Sequence, residues 1–590
     1  MFLITTADRR FWKIDRPVLF LGEWCRIFSQ KHIWENLNCK VLPYHWDDRE
    51  RLYSDYLYVK RVYEKALCEL SGCLNKLHGT SYSYRYWRIV IGPWLLSFIG
   101  ILYDRYLSIY SAAASGLVTG TIISKNDYWF FTPTDFGDFE DRFMSDPYNH
   151  YLYSRIIEFT GILPYERKAV PITEKPETLP ERPEFSLRNM IKKAVIAISG
   201  IVPDSLKTIV FMSPGLDRMD QIAIQLALRQ FPFLFTPEVK APESALDFKK
   251  RKEISLTFYD DDFMKILNSL IPEQIPQSYI ESYGYLREEA LKKFPAKPSI
   301  IFTANAHYKN EGFKVWAASC AEEGSLLAGT QHGGFEGMGR WFSLEDHQRS
   351  IWDKYYSWGW DDPLEGKIKS LPAARLNRAK SLKGDKSGRI LMVNTAFIRY
   401  SYYMQSMPVA MSGYNAYLKN IFSFIKLLGK DARQLLTVRL YPHDLSCDEK
   451  QRFADELPDI DCYRGKKSFY EQLSESRLLI GNNNGTTYLE AFAAGIPTVL
   501  FWDPAYWELR ETAKPYFDEL HRTGILHYTP ESCAELVNNI YKDPVAWWAQ
   551  DDVQKAKDRF CHRFARTSDG WLKEWRQELA ALIPQRVPAW

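Results

Sequence analysis

The feature that most constrains this chain is a recurring unit: a short apolar run of strand type that ends in small or polar residues and leads into a helix-length segment. It stands at Thr208-Ile209-Val210-Phe211-Met212-Ser213-Pro214-Gly215, at Ser299-Ile300-Ile301-Phe302-Thr303-Ala304-Asn305, and over residues 326–334. It restarts at 388–395, 436–443, 477–482 and 498–502. Strands that alternate with helices build a parallel sheet, because each return connection must cross a face of that sheet. Ligands of such sheets bind beyond the carboxyl ends of the strands. The residues closing each run are therefore the candidates for chemistry.

The first third opens in the same way, with apolar runs at 17–22 and 39–44 and helical spacing of Leu52, Tyr56, Tyr63, Leu67, Leu70 and Leu74. Residues 89–102 are the most apolar stretch, but they fall short of the roughly 20 needed to span a bilayer; a buried helix is expected. A Pro/Glu-rich segment, 171–183, reads as a linker or surface excursion, and the Lys/Gly/Ser-rich 380–388 as a connection between lobes. The expected organisation is α/β, with an acceptor-side Rossmann-like region with helical insertions over 1–365 and a linker over 366–388. A nucleotide-sugar-binding Rossmann-like region over 389–551 and a helical tail over 552–590 complete it.

Composition narrows the function. Lys+Arg 76 against Asp+Glu 73 leaves a net charge of +3, so no whole-chain field argues for nucleic acid or an anionic membrane. The 9 cysteines form no CxxC pair and no zinc-like spacing with histidine, which fits a reducing cytoplasm. The N-terminus lacks the charged-then-apolar order of a signal peptide, so a cytoplasmic protein is expected, with any membrane association peripheral, at the inner membrane. Aromatic residues make up 15% of the chain; they serve either a core of large flat side chains or sugar-binding faces.

The most informative window is Leu479-Ile480-Gly481-Asn482-Asn483-Asn484-Gly485-Thr486-Thr487-Tyr488-Leu489-Glu490-Ala491, closed by Ala494-Gly495-Ile496-Pro497 and a further strand. A strand runs into a small polar turn and then a helix, which gathers free backbone N–H groups at the turn. Such a turn can hold phosphate, with Thr486 and Thr487 adding hydroxyl donors and Glu490 accepting from ribose hydroxyls. A plain helix cap followed by a surface glutamate is the alternative.

This pattern resembles the donor-binding region of GT-B glycosyltransferases, two Rossmann-like doubly wound parallel-sheet lobes facing across a cleft. Phe20-Leu21-Gly22-Glu23-Trp24-Cys25, His45-Trp46-Asp47-Asp48-Arg49, Tyr86-Trp87-Arg88-Ile89-Val90-Ile91-Gly92-Pro93-Trp94, Gln331-His332-Gly333-Gly334 and Trp358-Gly359-Trp360 extend the likeness over nearly the whole chain. Together they resemble a family of transferases encoded with O-antigen and capsule genes, similar to capsule-locus transferases of pseudaminic and other ulosonic acids. The resemblance implies a CMP-activated nucleotide-sugar donor with no further cofactor, a glycan acceptor, free or lipid-linked, and retention at the anomeric carbon. Bacterial sialyltransferases of GT-B type carry His-Pro and Ser-Ser motifs at the donor phosphate. Here the order is Tyr441-Pro442-His443, and Thr486-Thr487 stand in place of serines.

The expected donor site comprises Arg439, His443, Asn482, Asn483, Asn484, Gly485, Thr486, Thr487 and Glu490, with Arg439 or His443 stabilising the departing phosphate. His332 has a pKa suited to proton transfer, and its glycine neighbours allow close backbone approach. Glu311, Asp47 and Asp48 are candidate bases or nucleophiles. His45, Arg49, Arg88, Lys314, Gln331, Gly333 and Gly334 are expected against substrate, the cations pairing a sugar carboxylate. Asp260-Asp261-Asp262 reads as a helix cap and Asp459-Ile460-Asp461 as a turn before a strand, so no metal is expected. A UDP-hexose-dependent transferase, a sugar-nucleotide epimerase, a polyol-phosphate transferase and a non-catalytic glycan-binding assembly protein are the alternatives.

Overall fold

The structure, a computed structural model, describes residues 1–126, 128–171, 202–203, 206–232, 234, 236–362 and 364–583. Three parallel sheets carry these residues. The first comprises β1 (Phe2–Ile4), β2 (Val18–Phe20), β3 (Cys39–Val41), β4 (Gly120–Ser124) and β5 (Tyr165–Lys168), in the order β3-β2-β1-β4-β5. Two long helices join β3 to β4, α1 (Arg49–His78) and α2 (Tyr84–Ala114). Asp48 caps α1 by accepting from the Arg51 N–H, and Gly79 ends it in the left-handed conformation that glycine adopts without strain. The most hydrophobic 18-residue window of α2 is buried throughout, so the apolar run 89–102 is a core helix, as its length and its glycines suggest.

The middle sheet contains β6 (Ile209–Phe211), β7 (Ile300–Thr303), β8 (Leu326–Thr330), β9 (Lys354–Ser357) and β10 (Ile368–Ser370), arranged in sequence order. Helices α3 (Glu311–Glu322) and α4 (Ser343–Ile351) follow β7 and β8. The third sheet is β11 (Arg389–Val393), β12 (Leu436–Arg439), β13 (Asp461–Tyr463), β14 (Ser476–Gly481), β15 (Thr498–Phe501) and β16 (Leu526–His527). Its order, β13-β12-β11-β14-β15-β16, is the dinucleotide-fold order, with the switch point between β11 and β14. Helices α5 (Ala410–Leu427) and α6 (Thr487–Ala493) belong to this lobe, and α7 (Asp551–Phe564) and α8 (Trp571–Leu582) end the described chain.

The middle and third sheets form two parallel-sheet α/β lobes facing across a cleft, the paired-lobe plan of the GT-B architecture; the first and third sheets have the Rossmann-type order, whereas the middle sheet runs in sequence order without a switch point. Region 1–365, read from sequence as one Rossmann-like unit, carries two separate sheets. Its extra strands are three to five residues long, too short for a period-2 pattern to register. The middle sheet also runs on into the stretch read as a linker, which contributes β10 and the helix Ala374–Ala379. Residues 172–183 of the Pro/Glu-rich segment and 584–590 of the tail lie outside the described residues.

The C-terminal helices tie the lobes together. Trp575 of α8 packs on Phe302 and Tyr356 of the middle sheet at ring distances of 5.6 and 5.3 Å and donates to the Pro372 carbonyl. Gly359, at φ +129°, lies beneath the end of α7, where a Cβ would stand 2.8 Å from the His562 and Arg563 carbonyls. That close approach accounts for the glycine between Trp358 and Trp360.

Candidate active-site cleft

The carboxyl ends of β6, β7 and β8 open into a cleft of about 650 Å3 between the facing lobes. Ser213, Asn305 and the turn His332-Gly333-Gly334 line it from the middle lobe, and Gly485 and Thr486 from the third. The two turns touch. The Gly334 N–H donates to Thr486 Oγ1 at 2.9 Å, and a Cβ on Gly334 would lie 2.5 Å from the Gly485 carbonyl. Only glycine permits that approach. Because the Thr486 oxygen already accepts from Gly334, its own hydroxyl hydrogen is left to a ligand in the cleft.

Gln331 holds the first turn in place from below. Its carbonyl oxygen accepts from the Trp358 N–H and from Trp360 Nε1, both at 2.8 Å, while its amide donates to the Gly333 carbonyl. Its side chain is thus a brace for the turn. His332 projects outward, 54% exposed. Partial dehydration and then the charge of Arg375 hold the imidazole below its ordinary value, so at neutral pH it is an uncharged proton acceptor. Beneath it lies a residue that sequence reading missed. Glu336 is buried, and one carboxyl oxygen accepts from the N–H groups of His332 (3.4 Å) and Gly333 (3.2 Å). The same oxygen lies 3.9 Å from His332 Nδ1. Tyr355 of β9 donates to the other oxygen. Burial, with the nearby charge of Glu345, pushes this carboxyl up to about 7.

On the third lobe the asparagines divide by role. Asn482 is buried at the switch point, where it donates to Asn394 Oδ1 at 2.6 Å and accepts from the Tyr417 hydroxyl at 2.8 Å. Asn394 in turn donates to Glu449. Asn483 donates to Asn482, and Asn484 accepts from Tyr488. These three side chains build the turn from within, leaving Gly485, Thr486 and Thr487 as its half-buried outer part. Glu490 is fully buried. One of its oxygens accepts from Arg375 Nε at 2.6 Å and Tyr470 at 2.9 Å, and its Oε2 has no hydrogen-bond partner among the described residues. Arg439 donates to Gln472 and the Lys467 carbonyl, and His443 sits exposed on the loop after β12.

Several residues expected at the cleft lie elsewhere. Glu311 is the first residue of α3 rather than part of an open loop, and it is buried with Lys314 (3.0 Å), the Tyr279 hydroxyl (2.9 Å) and the Phe136 N–H. Asp48 is the cap of α1, and Asp47 accepts from Ser412 of α5. Arg49 makes a paired contact with Glu508 at 2.7 and 3.0 Å, joining the first and third lobes. His45 is buried 3.4 Å from Asp104. Arg88 pairs with Glu64 beside a second cavity. A local helix cap accounts for Asp48, and contacts from other elements hold Asp47, Arg49, His45, Arg88 and Glu311 away from the open loop positions their spacing permits. Asp261 caps its helix as expected, accepting from the Met264 N–H at 2.8 Å. Two further histidines, His307 and His347, line the cleft; burial drives the first down to about 3 and the second well below its ordinary value. Among the described residues no group of three or more His, Cys, Asp or Glu side chains is gathered as a metal site.

Two parallel-sheet lobes thus meet at two glycine-containing turns beside an exposed histidine, a cleft of the paired-lobe α/β class. The sequence matches the LIC12162 family transferases across residues 1–579, and the chain belongs to that family. No curated protein sequence matches it. Among solved structures it is similar to the wall teichoic acid polymerase TagF, at 14% identity over 67% of this chain and 95% of that one, with a TM-score of 0.31. It is also similar to WaaG, a glycosyltransferase involved in lipopolysaccharide biosynthesis (12% identity, 64% and 98% coverage, TM-score 0.28). MurG of Acinetobacter baumannii shows 14% identity, 51% and 77% coverage, and a TM-score of 0.29. These are distant likenesses, and they carry nothing about the reaction.

Proposed function

We propose that this transferase is a glycosyltransferase that moves a sugar from a nucleotide donor on the third lobe to a glycan acceptor approaching from the first two. One observation carries the reading: the His332-Gly333-Gly334 turn and the Gly485-Thr486 turn line a single cleft and bond directly to each other. The donor phosphate would lie against the Thr486 hydroxyl and the backbone N–H groups around it, while Glu490, expected at the ribose, is buried behind Arg375 and Tyr470 and would position Arg375 instead. His332 would take the proton of the acceptor hydroxyl as the acceptor oxygen bonds to the anomeric carbon and the bond from that carbon to the nucleotide phosphate breaks, the acceptor entering on the face from which the nucleotide departs where configuration is retained. Glu336 would orient the ring and stabilise its charged form. Preorganised donors in a partly dehydrated cleft stabilise leaving-group charge more than the same groups in water.

The resemblance to capsule-locus enzymes supports a finer version: a nine-carbon ulosonic acid of pseudaminic type, a CMP-linked donor, retention, and a capsule or O-antigen acceptor. In this version the enzyme works at the cytoplasmic face of the inner membrane without a divalent metal. The test is to incubate purified protein with CMP- and UDP-sugar panels and acceptor glycans and follow nucleotide release and product. Acceptor-dependent release from a CMP-ulosonate is expected. Release from UDP-hexoses alone would remove the ulosonate, acceptor-free conversion would point to an epimerase, and no turnover of any nucleotide sugar would sink the reading. Activity lost in EDTA and restored by Mg2+ would remove the metal-free part.

A further inference from the structure

A second cavity, of about 560 Å3, lies between α1, α2, α4 and the segment 402–404. It adjoins the cleft, because His347 and Tyr403 line both. We propose that this cavity is the acceptor subsite and holds a neutral sugar ring of the acceptor glycan. The assignment rests on the transferase reading for the word acceptor, but the sugar-binding claim stands on the cavity itself.

Three observations point there. Firstly, two side chains that line the cavity, Tyr63 and His347, the latter shared with the cleft, carry polar groups without partners. The Tyr63 hydroxyl and both ring nitrogens of His347 are buried and unbonded among the described residues, and each side chain is 3% exposed. Orphaned polar atoms are costly unless a ligand completes them. Both groups are uncharged near neutrality, since burial lowers His347 and raises Tyr63. They suit hydroxyls, which both donate and accept.

Secondly, the charges at the rim are already matched. Lys60 bonds Asp346 at 2.9 Å, Arg88 bonds Glu64, and Arg349 bonds Glu365 at 2.6 Å. A fourth cation, Lys367, donates to the Arg349 carbonyl and lies 4.0 Å from Glu365, serines add hydroxyls, and Val59, Leu96, Met404 and tyrosine rings supply the apolar part of the wall. Aromatic and aliphatic faces beside neutral hydrogen-bonding groups fit a sugar, which has apolar C–H faces and a hydroxyl edge.

Thirdly, Gly100 sits in the interior of α2 on the cavity floor. A Cβ there would meet only Met404 Cγ, at 4.0 Å. Glycine weakens a helix interior, and neither a close neighbour nor a left-handed backbone requires it here. What it preserves is empty space.

The test uses the full chain and methyl glycosides of glucose, galactose, rhamnose, N-acetylglucosamine and N-acetylgalactosamine, titrated by calorimetry and saturation-transfer NMR. CMP and UDP are titrated separately. Gly100→Leu fills the cavity with a better helix former, so the variant is expected to fold. At least one glycoside should bind the wild type, and Gly100→Leu should weaken it at least tenfold while nucleotide binding stays within twofold. Tyr63→Phe, which removes one oxygen, should weaken the same glycoside about fivefold. The proposal is overturned if no glycoside binds, if both variants bind as the wild type does, or if alkyl glycosides bind in proportion to chain length alone. Glycoside binding that Gly100→Leu abolishes, in a protein that binds no nucleotide, would keep the sugar site and remove the transferase reading instead.

Discussion

Two buried carboxylates in the middle lobe, Glu311 and Glu336, differ in what surrounds them, and the difference separates architecture from chemistry. Glu311 shares one oxygen with an ammonium group, a phenol and a backbone N–H, its Oε2 has no hydrogen-bond partner among the described residues, and its side chain and that of Lys314 are 5% and 0% exposed. Glu336 receives two backbone N–H groups and a phenol, with Glu345 nearby and a neutral imidazole 3.9 Å away. Both carboxyls are raised by burial. Only the second sits beneath a group exposed to the cleft, with a proton affinity near neutral pH. A buried acid completed by a cation holds a fold together; one left to backbone and phenol donors next to an imidazole can tune a base.

Breaking the first cluster should have the largest effect. Lys314→Met leaves Glu311 without its cation and is expected to cost roughly 3–5 kcal/mol of stability, read as a shift in the urea midpoint. Lys314→Met combined with Glu311→Gln should recover most of that loss, because no charge is then stranded. Turnover per folded molecule should be unchanged in both; a selective fall in kcat would place Glu311 in the reaction after all.

At the second cluster the order of effects reverses. His332→Ala should lower kcat by about 100- to 10,000-fold, the range for removing a general base, with nucleotide affinity and unfolding midpoint nearly unchanged. If stability falls instead and turnover survives, His332 is a structural residue. Glu336→Gln should act less strongly on turnover and more on its pH dependence. In the wild type the carboxyl ionises near pH 7 and then strengthens the imidazole as a base, so kcat/KM should rise across that region. In the variant the rise should move to lower pH and reach a lower plateau. Stability changes in the opposite sense. The folded carboxyl holds its proton up to about 7, against 4.5 for the free group, so the wild type loses stability as pH rises between those values. Glu336→Gln should therefore be the more stable protein at pH 8, by roughly 1–3 kcal/mol, and near parity at pH 4. Unfolding curves at the two pH values check the sign.

The legible part of the molecule follows the same division. Strands β7, β8, β11, β14 and β15 stand out because each places three or more consecutive apolar residues in a strand of at least four. β1 has only three residues, and β5 (Tyr-Glu-Arg-Lys) is exposed at every position, so neither offers a pattern to read. The two turns of the cleft were legible because each closes an apolar strand with small residues. Glu336 was not, since its environment is set by Tyr355 from the next strand. Nothing in its own neighbourhood marks it. His307 and His347 were missed for the same reason, and Asp48 and Glu311 were misplaced because helix caps and loop acids look alike in sequence.

The smallest predicted effect probes where the lobes meet. Thr486→Val keeps the shape of the side chain but removes the oxygen that accepts from Gly334 at 2.9 Å, and with it the hydroxyl hydrogen aimed at the cleft. The unmade bond should cost about 1 kcal/mol of stability. If the hydroxyl also contacts donor phosphate, the donor KM should rise severalfold with a smaller change in kcat, because the contact would be made in ground and transition states alike. Thr486→Ser separates the two roles from general disturbance, since it restores both the acceptor and the hydrogen. A serine variant as impaired as the valine one would mean that the turn tolerates no change of side-chain shape and that the valine result does not report on the hydroxyl, and the phosphate contact would have to be withdrawn.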